Sequence, residues 1–140
     1  MRNEHGFIAT EFSTPEDKEK FAEQFKLFVS RGYTRAEFSK WFYTRLSMTF
    51  GHIAHYNQDG FYSHFFGRGT HGVLDFIRQC LEWPCHGEPA YTFSDVERYL
   101  QAWLRKNQVV EKLVELHHIE VEAAEKAELA RLKAKYEGGA

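Results

Sequence analysis

At 140 residues and 16.5 kDa, with 43% hydrophobic and 27% charged residues, the chain has the size and make-up of one ordinary globular domain, and wholesale disorder is excluded. A formal charge of −2 fits neither a strongly basic nucleic-acid binder nor an acidic mimic of nucleic acid. No apolar run approaches the roughly 18 residues that span a bilayer, the first residues lack the apolar stretch of a secretory signal, and two cysteines make no disulfide framework, so a cytoplasmic protein with reduced thiols is expected.

Residues 1–13 show no firm period and read as an extended arm. Thr14-Pro15-Glu16-Asp17 then opens a helix: a capping hydroxyl, a proline at the first helical position, and two acids at the positive helix end. Phe21, Phe25, Phe28 and Val29 share one face of it, and Gly32 ends it. Thr34-Arg35-Ala36-Glu37 reads as a capping box that starts a second helix over about 35–56. On that helix Phe38, Phe42, Leu46, Thr49, Ile53 and Tyr56 fall on one stripe, with Phe50 at its margin. Trp41, Met48, His52 and His55 form a second stripe, so this helix is expected to be central or to face a partner. Gly51 within it costs about 1 kcal/mol relative to Ala.

Asn57-Gln58-Asp59-Gly60 predicts a turn, and Phe61, Tyr62, Phe65 and Phe66 suit a short helix. After the glycine-rich loop Gly67-Arg68-Gly69-Thr70, Thr70 is placed to cap a helix over about 71–83, with Val73, Phe76, Ile77, Cys80 and Leu81 on one face. A loop runs from Pro84 to Phe93, and Ser94-Asp95-Val96-Glu97 reads as a second capping box.

Residues 95 to about 136 contain no proline or glycine. Val96, Leu100, Trp103, Asn107, Val110, Val114, His117, Val121 and Ala124 are spaced 4-3-4-3-4-3-4-3, a heptad seam with one polar residue, Asn107. An unbroken helix of that span is roughly 60 Å long, against a radius of gyration of about 14 Å for a domain of this length. The helix therefore either projects or breaks near Asn107, and projection of its last third is favoured. The expected fold is all-α: a compact bundle or orthogonal core of about four helices over 1–106, with 107–140 as a coiled-coil-like extension of the C-terminal helix.

Several groupings carry possible chemistry. His52 and His55, at i, i+3, could converge on a transition metal such as zinc with His64, and Asp59 nearby could complete the site. Cys80, Cys85 and His86, with His71 as a fourth ligand, offer the donors of a structural zinc site. Against this, Cys80 sits on an apolar face where cysteine acts as a small hydrophobe. Glu115 and His118 make one E-x-x-H unit, which di-iron bundles use twice; a second copy is missing, and His117 reads as a packed or partner-facing ring. Arg68 and Thr70, among glycines at a helix N-terminus, suit an anion. No catalytic signature is present.

Arg31, Arg35, Lys40 and Arg45, interleaved with Tyr33, Trp41 and Tyr43, are the residues of a nucleic-acid surface if there is one, although 35, 40 and 45 spread around the helix. Residues 111–125 hold five Glu against one Lys, and 126–135 hold four Lys/Arg against one Glu, a block pattern that favours antiparallel pairing of two such helices. The functional expectation is a non-enzymatic protein-binding factor without cofactor, using Trp41, Met48, His52, His55, Val110, Val114, His117 and Val121, with a homodimer through the C-terminal helix as the first partner to consider. Small accessory or inhibitor proteins of phages and mobile elements share this profile. A metal-dependent enzyme built on the histidines, and a nucleic-acid-binding module, are the alternatives.

Overall fold

The computed structural model describes residues 4–51, 53, 56–83 and 87–138. The fold is all-α, with six α-helices among the described residues: α1 (Pro15–Ser30), α2 (Lys40–Thr49), α3 (Gln58–Phe66), α4 (Thr70–Glu82), α5 (Ser94–Lys106) and α6 (Val109–Tyr136). α1 packs on α2 and α5, α3 packs on α4, and α6 lies against α4 and α5. Thr14 caps α1 as its sequence predicts, accepting from the Asp17 amide at 3.0 Å.

The helix expected over 35–56 is shorter. Arg35–Glu37 forms a single 3-10 turn, and α2 begins only after Ser39, whose hydroxyl accepts from the Phe42 amide at 3.1 Å. In a continuous helix that amide would bond to the Phe38 carbonyl. Here Arg35 and the Gln58 amide both donate to that carbonyl at 3.0 Å, so a side chain has replaced a helical bond on each side of the break. α2 stops at Thr49, and Phe50 turns inward to become fully buried. Tyr43 holds the returning chain, its phenol 2.6 Å from the Tyr56 carbonyl and 3.2 Å from that of Ile53.

The long helix expected from residue 95 to about 136 breaks at Asn107–Gln108. Gln108 is left-handed (φ 53°, ψ 42°), and the Asn107 side chain donates to the Trp103 carbonyl at 2.9 Å, closing the end of α5. The seam is therefore divided between two helices: Val96 and Leu100 are buried on α5, whereas Asn107 is exposed at the break. The favoured projection is present as well. α6 is 28 residues, roughly 42 Å, and past His117 every residue but Leu132 is exposed.

The core is aromatic. Eleven of thirteen phenylalanines are buried, and their rings meet mostly edge-on or tilted, with Phe38 and Phe61 stacked; Phe28, for example, touches Phe38, Phe42 and Phe66 at 5.1–5.6 Å. Within it lies one fully buried cation. Lys18 donates to both oxygens of Asp95 at 2.9 and 3.0 Å and to the Pro89 carbonyl at 3.1 Å. Asp95 also accepts from the Ile8 and Val96 amides. The sequence signature Ser94–Glu97 is thus no capping box: Ser94 is already helical and donates to the Gly87 carbonyl, while Glu97 is buried. The N-terminal arm is pinned through Ile8 and through Phe7, which meets Tyr99 edge-on at 5.4 Å.

α3 and α4 approach closely because position 72 has no side chain; a Cβ on Gly72 would stand 2.7 Å from the Phe65 carbonyl oxygen. Gly72→Ala is expected to lower stability by about 1–3 kcal/mol, since backbone must shift. Asp95→Ala, which strands a buried ammonium, is expected to cost about 3–5 kcal/mol. The double variant Lys18→Met/Asp95→Ala should recover part of that loss, because no unpaired charge remains. Urea unfolding of the three proteins measures all of these.

Candidate functional site

Among the described residues, more large hydrophobic side chains are exposed on α6 than on any other helix. Only Val109 and Leu113 of its residues are buried, whereas Val114, Leu116, Ile119, Val121, Leu129 and Tyr136 are exposed. The first half of α6 is fixed to α4. Thr70 donates to the Glu120 carboxylate at 2.8 Å, and the His71 and His117 rings lie 6.2 Å apart. Val110 and His117 are half-buried on this attached side, so they are less open than the heptad pattern implies. Val114 and Val121 lie on one side of α6, and Leu116 and Ile119 lie opposite.

Where α6 leaves α5, an open cavity of about 360 Å³ is lined by Val29, Tyr33, Trp103, Lys112, Leu113 and Leu116. Tyr33 is left-handed (φ 62°), and its ring is held between Phe28, edge-on, and Phe66, stacked at 5.6 Å. Burial pushes its phenol well above the usual range. Nothing in the periodicity marks this cavity, because it is made where three elements end.

The second-stripe residues divide. Trp41 is half-buried between two cations, Lys20 at 4.8 Å and Arg45 at 4.6 Å from its ring. Met48 is exposed, and His52 and His55 lie outside the described residues. Of the basic residues, Arg45 pairs with Asp17 at 3.1 Å, Arg35 pairs with Asp59 and covers the Tyr62 ring, and Arg31 stands 3.6 Å from Glu37. Lys40 is exposed. Three of the four cations are thus engaged within the chain, and the rings between them belong largely to the core.

His64 sits on the exposed side of α3. Its Nδ1 accepts from Arg68 at 3.2 Å, and the same guanidinium reaches His71 Nε2 at 3.3 Å. A metal beside that nitrogen would face a fixed positive charge. Cys80 is fully buried near the far end of α4, while His71 is in its first turn, a rise of roughly 13 Å. These two cannot share one zinc ion, which corrects the four-ligand expectation; Cys85 and His86 lie outside the described residues. Burial, reinforced by the Glu97 carboxylate, holds the Cys80 thiol protonated well above its ordinary range. Glu115 and His118 are both exposed on α6. One metal-type grouping not read from the sequence does form: Glu4, His5 and Glu19 bring ligand atoms within 4.8 Å of one another. There His5 and Glu19 already satisfy each other at 2.6 Å.

The anion expectation at Arg68 and Thr70 has an internal answer. α4 begins just after Gly69, and the carboxylate at its N-terminus is that of Glu120, delivered by α6 and bonded to Thr70. Arg68 turns instead to the two histidines.

Neither a protein family, nor a curated protein, nor a solved structure matches the chain. The Thr70–Glu120 contact is directly testable. Thr70→Val and Glu120→Ala should each speed amide hydrogen exchange over the first turns of α6. The double variant should do no more than either alone, with a coupling of roughly 0.5–1 kcal/mol.

Proposed function

We propose that this protein is a non-catalytic binding protein and that α6 is the element it presents to its partner. The observation that carries this reading is the exposure of α6: Val114, Leu116, Ile119, Val121 and Leu129 stand in solvent on a helix that buries only two residues. Single exposed apolar residues are ordinary on a domain surface, but five on one projecting element, divided between two opposite sides of it, leave that element without a partner on either side. An amphipathic helix laid against another helix or into a groove uses apolar anchors at this kind of spacing.

The aromatic residues argue in the same direction. Their burial in the core leaves few rings for stacking on bases, and most of the basic segment is neutralised by Asp17, Glu37 and Asp59. Among the thiols described, Cys80 is buried and protonated, the opposite of what a nucleophile needs. α6 is therefore favoured over both a nucleic-acid surface and a nucleophilic site.

Ile119→Asp/Val121→Asp places two charges on exposed positions that support no core, so the helical content and melting temperature should stay within error of the wild type. The variant should at the same time lose the proteins that immobilised wild type retains from an extract of the source cells. Equal retention by both would overturn α6 as the binding element.

A further inference from the structure

The Leu116 side of α6 carries a pattern that identifies what covers it. Leu116, Ile119, Ala123, Ala127, Ala130 and Ala134 recur at spacings of 3-4-4-3-4, which at 3.6 residues per turn keeps them within an arc of roughly 80°. All six are exposed. Four alanines in the outer part of this face present no side chain beyond Cβ, so a second helix can lie at the short end of the 8–10 Å range of helix packing.

The charges bordering the face are ordered. Along one edge run Glu115, Glu122, Lys126 and Lys133, acids first and bases last. Turned end for end, this edge is its own complement. Glu122 and Lys126 pair with each other within the helix at 3.1 Å, whereas Glu115 and Lys133 have no ion pair among the described residues.

Resting on the reading of α6 as the binding element, we propose that its partner is a second copy of this chain, packed antiparallel through the Leu116–Ala134 face. The two-fold relation of such a pair sets each edge against the same edge of the other helix. With Ala123 opposite Ala127 of the second copy, Ile119 falls opposite Ala130 and Leu116 opposite Ala134. In that register Glu122 stands beside Lys126, and Glu115 beside Lys133, of the second copy. On the other edge Glu120 lies near Arg131. A parallel pair in register brings Glu115 and Glu122 toward Glu120 instead, acid against acid, which the charge order rejects.

The last turn of the second copy arrives at the level of the open cavity beside Lys112 and Leu116, where its Glu137 meets Lys112. Because alanine buries little apolar area, the pair is concentration-dependent rather than permanent.

Sedimentation of the full chain across micromolar to millimolar concentration tests the proposal, with circular dichroism confirming helix content throughout. The wild type should double in mass as concentration rises. Glu115→Lys/Glu122→Lys and Lys126→Glu/Lys133→Glu should each stay monomeric, an equimolar mixture of the two should form a 1:1 dimer, and the chain carrying all four changes should pair with itself again. A wild type that is monomeric throughout, reversed variants that pair as the wild type does, or a mixture that stays monomeric would each overturn it. The two readings fail separately. A monomeric wild type whose retained proteins are lost with Ile119→Asp/Val121→Asp overturns self-pairing and leaves α6 as the binding element. A monomeric wild type with retention unaffected overturns both.

Discussion

A lysine ammonium with no solvent exposure sits at the junction of four segments, and the packing around it is arranged to satisfy it. Lys18 comes from α1, Asp95 from α5, the Pro89 carbonyl from the loop before α5, and the Ile8 amide, which shares Asp95, from the N-terminal arm. Phe93 covers the ammonium at 5.4 Å. A buried charge is costly unless its partners are fixed in place, so the pair contributes less through its own strength than through the arrangements it forbids. With α1 and α5 held, Lys26 reaches the Tyr99 hydroxyl at 2.8 Å and Phe7 closes over the Tyr99 ring. The end of α5 then stands beside the end of α1, which leaves the cavity between Tyr33, Trp103 and Leu113 and sets where α6 departs.

Burial pattern was legible in the sequence wherever it depended on which residues are apolar at a helical period. Phe38, Phe42, Leu46, Thr49, Phe50 and Ile53 are all buried, although they belong to a turn, a ten-residue helix and an irregular return instead of one helix, whereas Tyr56, placed on the same stripe, is exposed. Helix continuity was less legible, because it turns on competition for single backbone groups. Ser39 captures the Phe42 amide, and Arg35 and Gln58 capture the Phe38 carbonyl, one of them from 20 residues away. No local propensity records such a bond. Asp95 illustrates the same limit: beside Ser94 it has the look of a helix-start acid, yet its partner lies 77 residues distant.

The candidate surface was legible in part. Exposure of the outer arm follows from its Ala, Glu and Lys content, and the acid-then-base order is visible in the residues themselves. Val110, Val114, His117 and Val121 do share one side of the unbroken α6, with Val110 and His117 half-buried and Val114 and Val121 exposed, but the part of the seam before Asn107 belongs to α5. The left-handed Gln108 resets the phase, after which His117 and Glu120 turn toward α4. The face opposite Val114 and Val121 is consequently the one with alanines along it and charges in complementary order. Of the residues that suggest metal chemistry, Cys80 lies in the core and His64 and His71 bond to Arg68, while His52, His55, Cys85 and His86 lie outside the described residues.

A projecting helix with so few buried residues must hold its shape by means other than packing. α6 has no glycine or proline before Gly138, its outer half is dominated by the strongest helix formers, and Glu122–Lys126 and Glu128–Arg131 add paired charges along the surface. Nucleation, the costly step for an isolated helix, is supplied by the body, because Val109, Leu113 and the Thr70–Glu120 bond fix the first three turns. The rest propagates from that anchored end. A surface ordered in this way before it meets a partner gives up little conformational entropy on binding. In the proposed antiparallel pair, weak apolar contacts and a complementary charge order would then suffice, with no large hydrophobic patch on an otherwise polar arm.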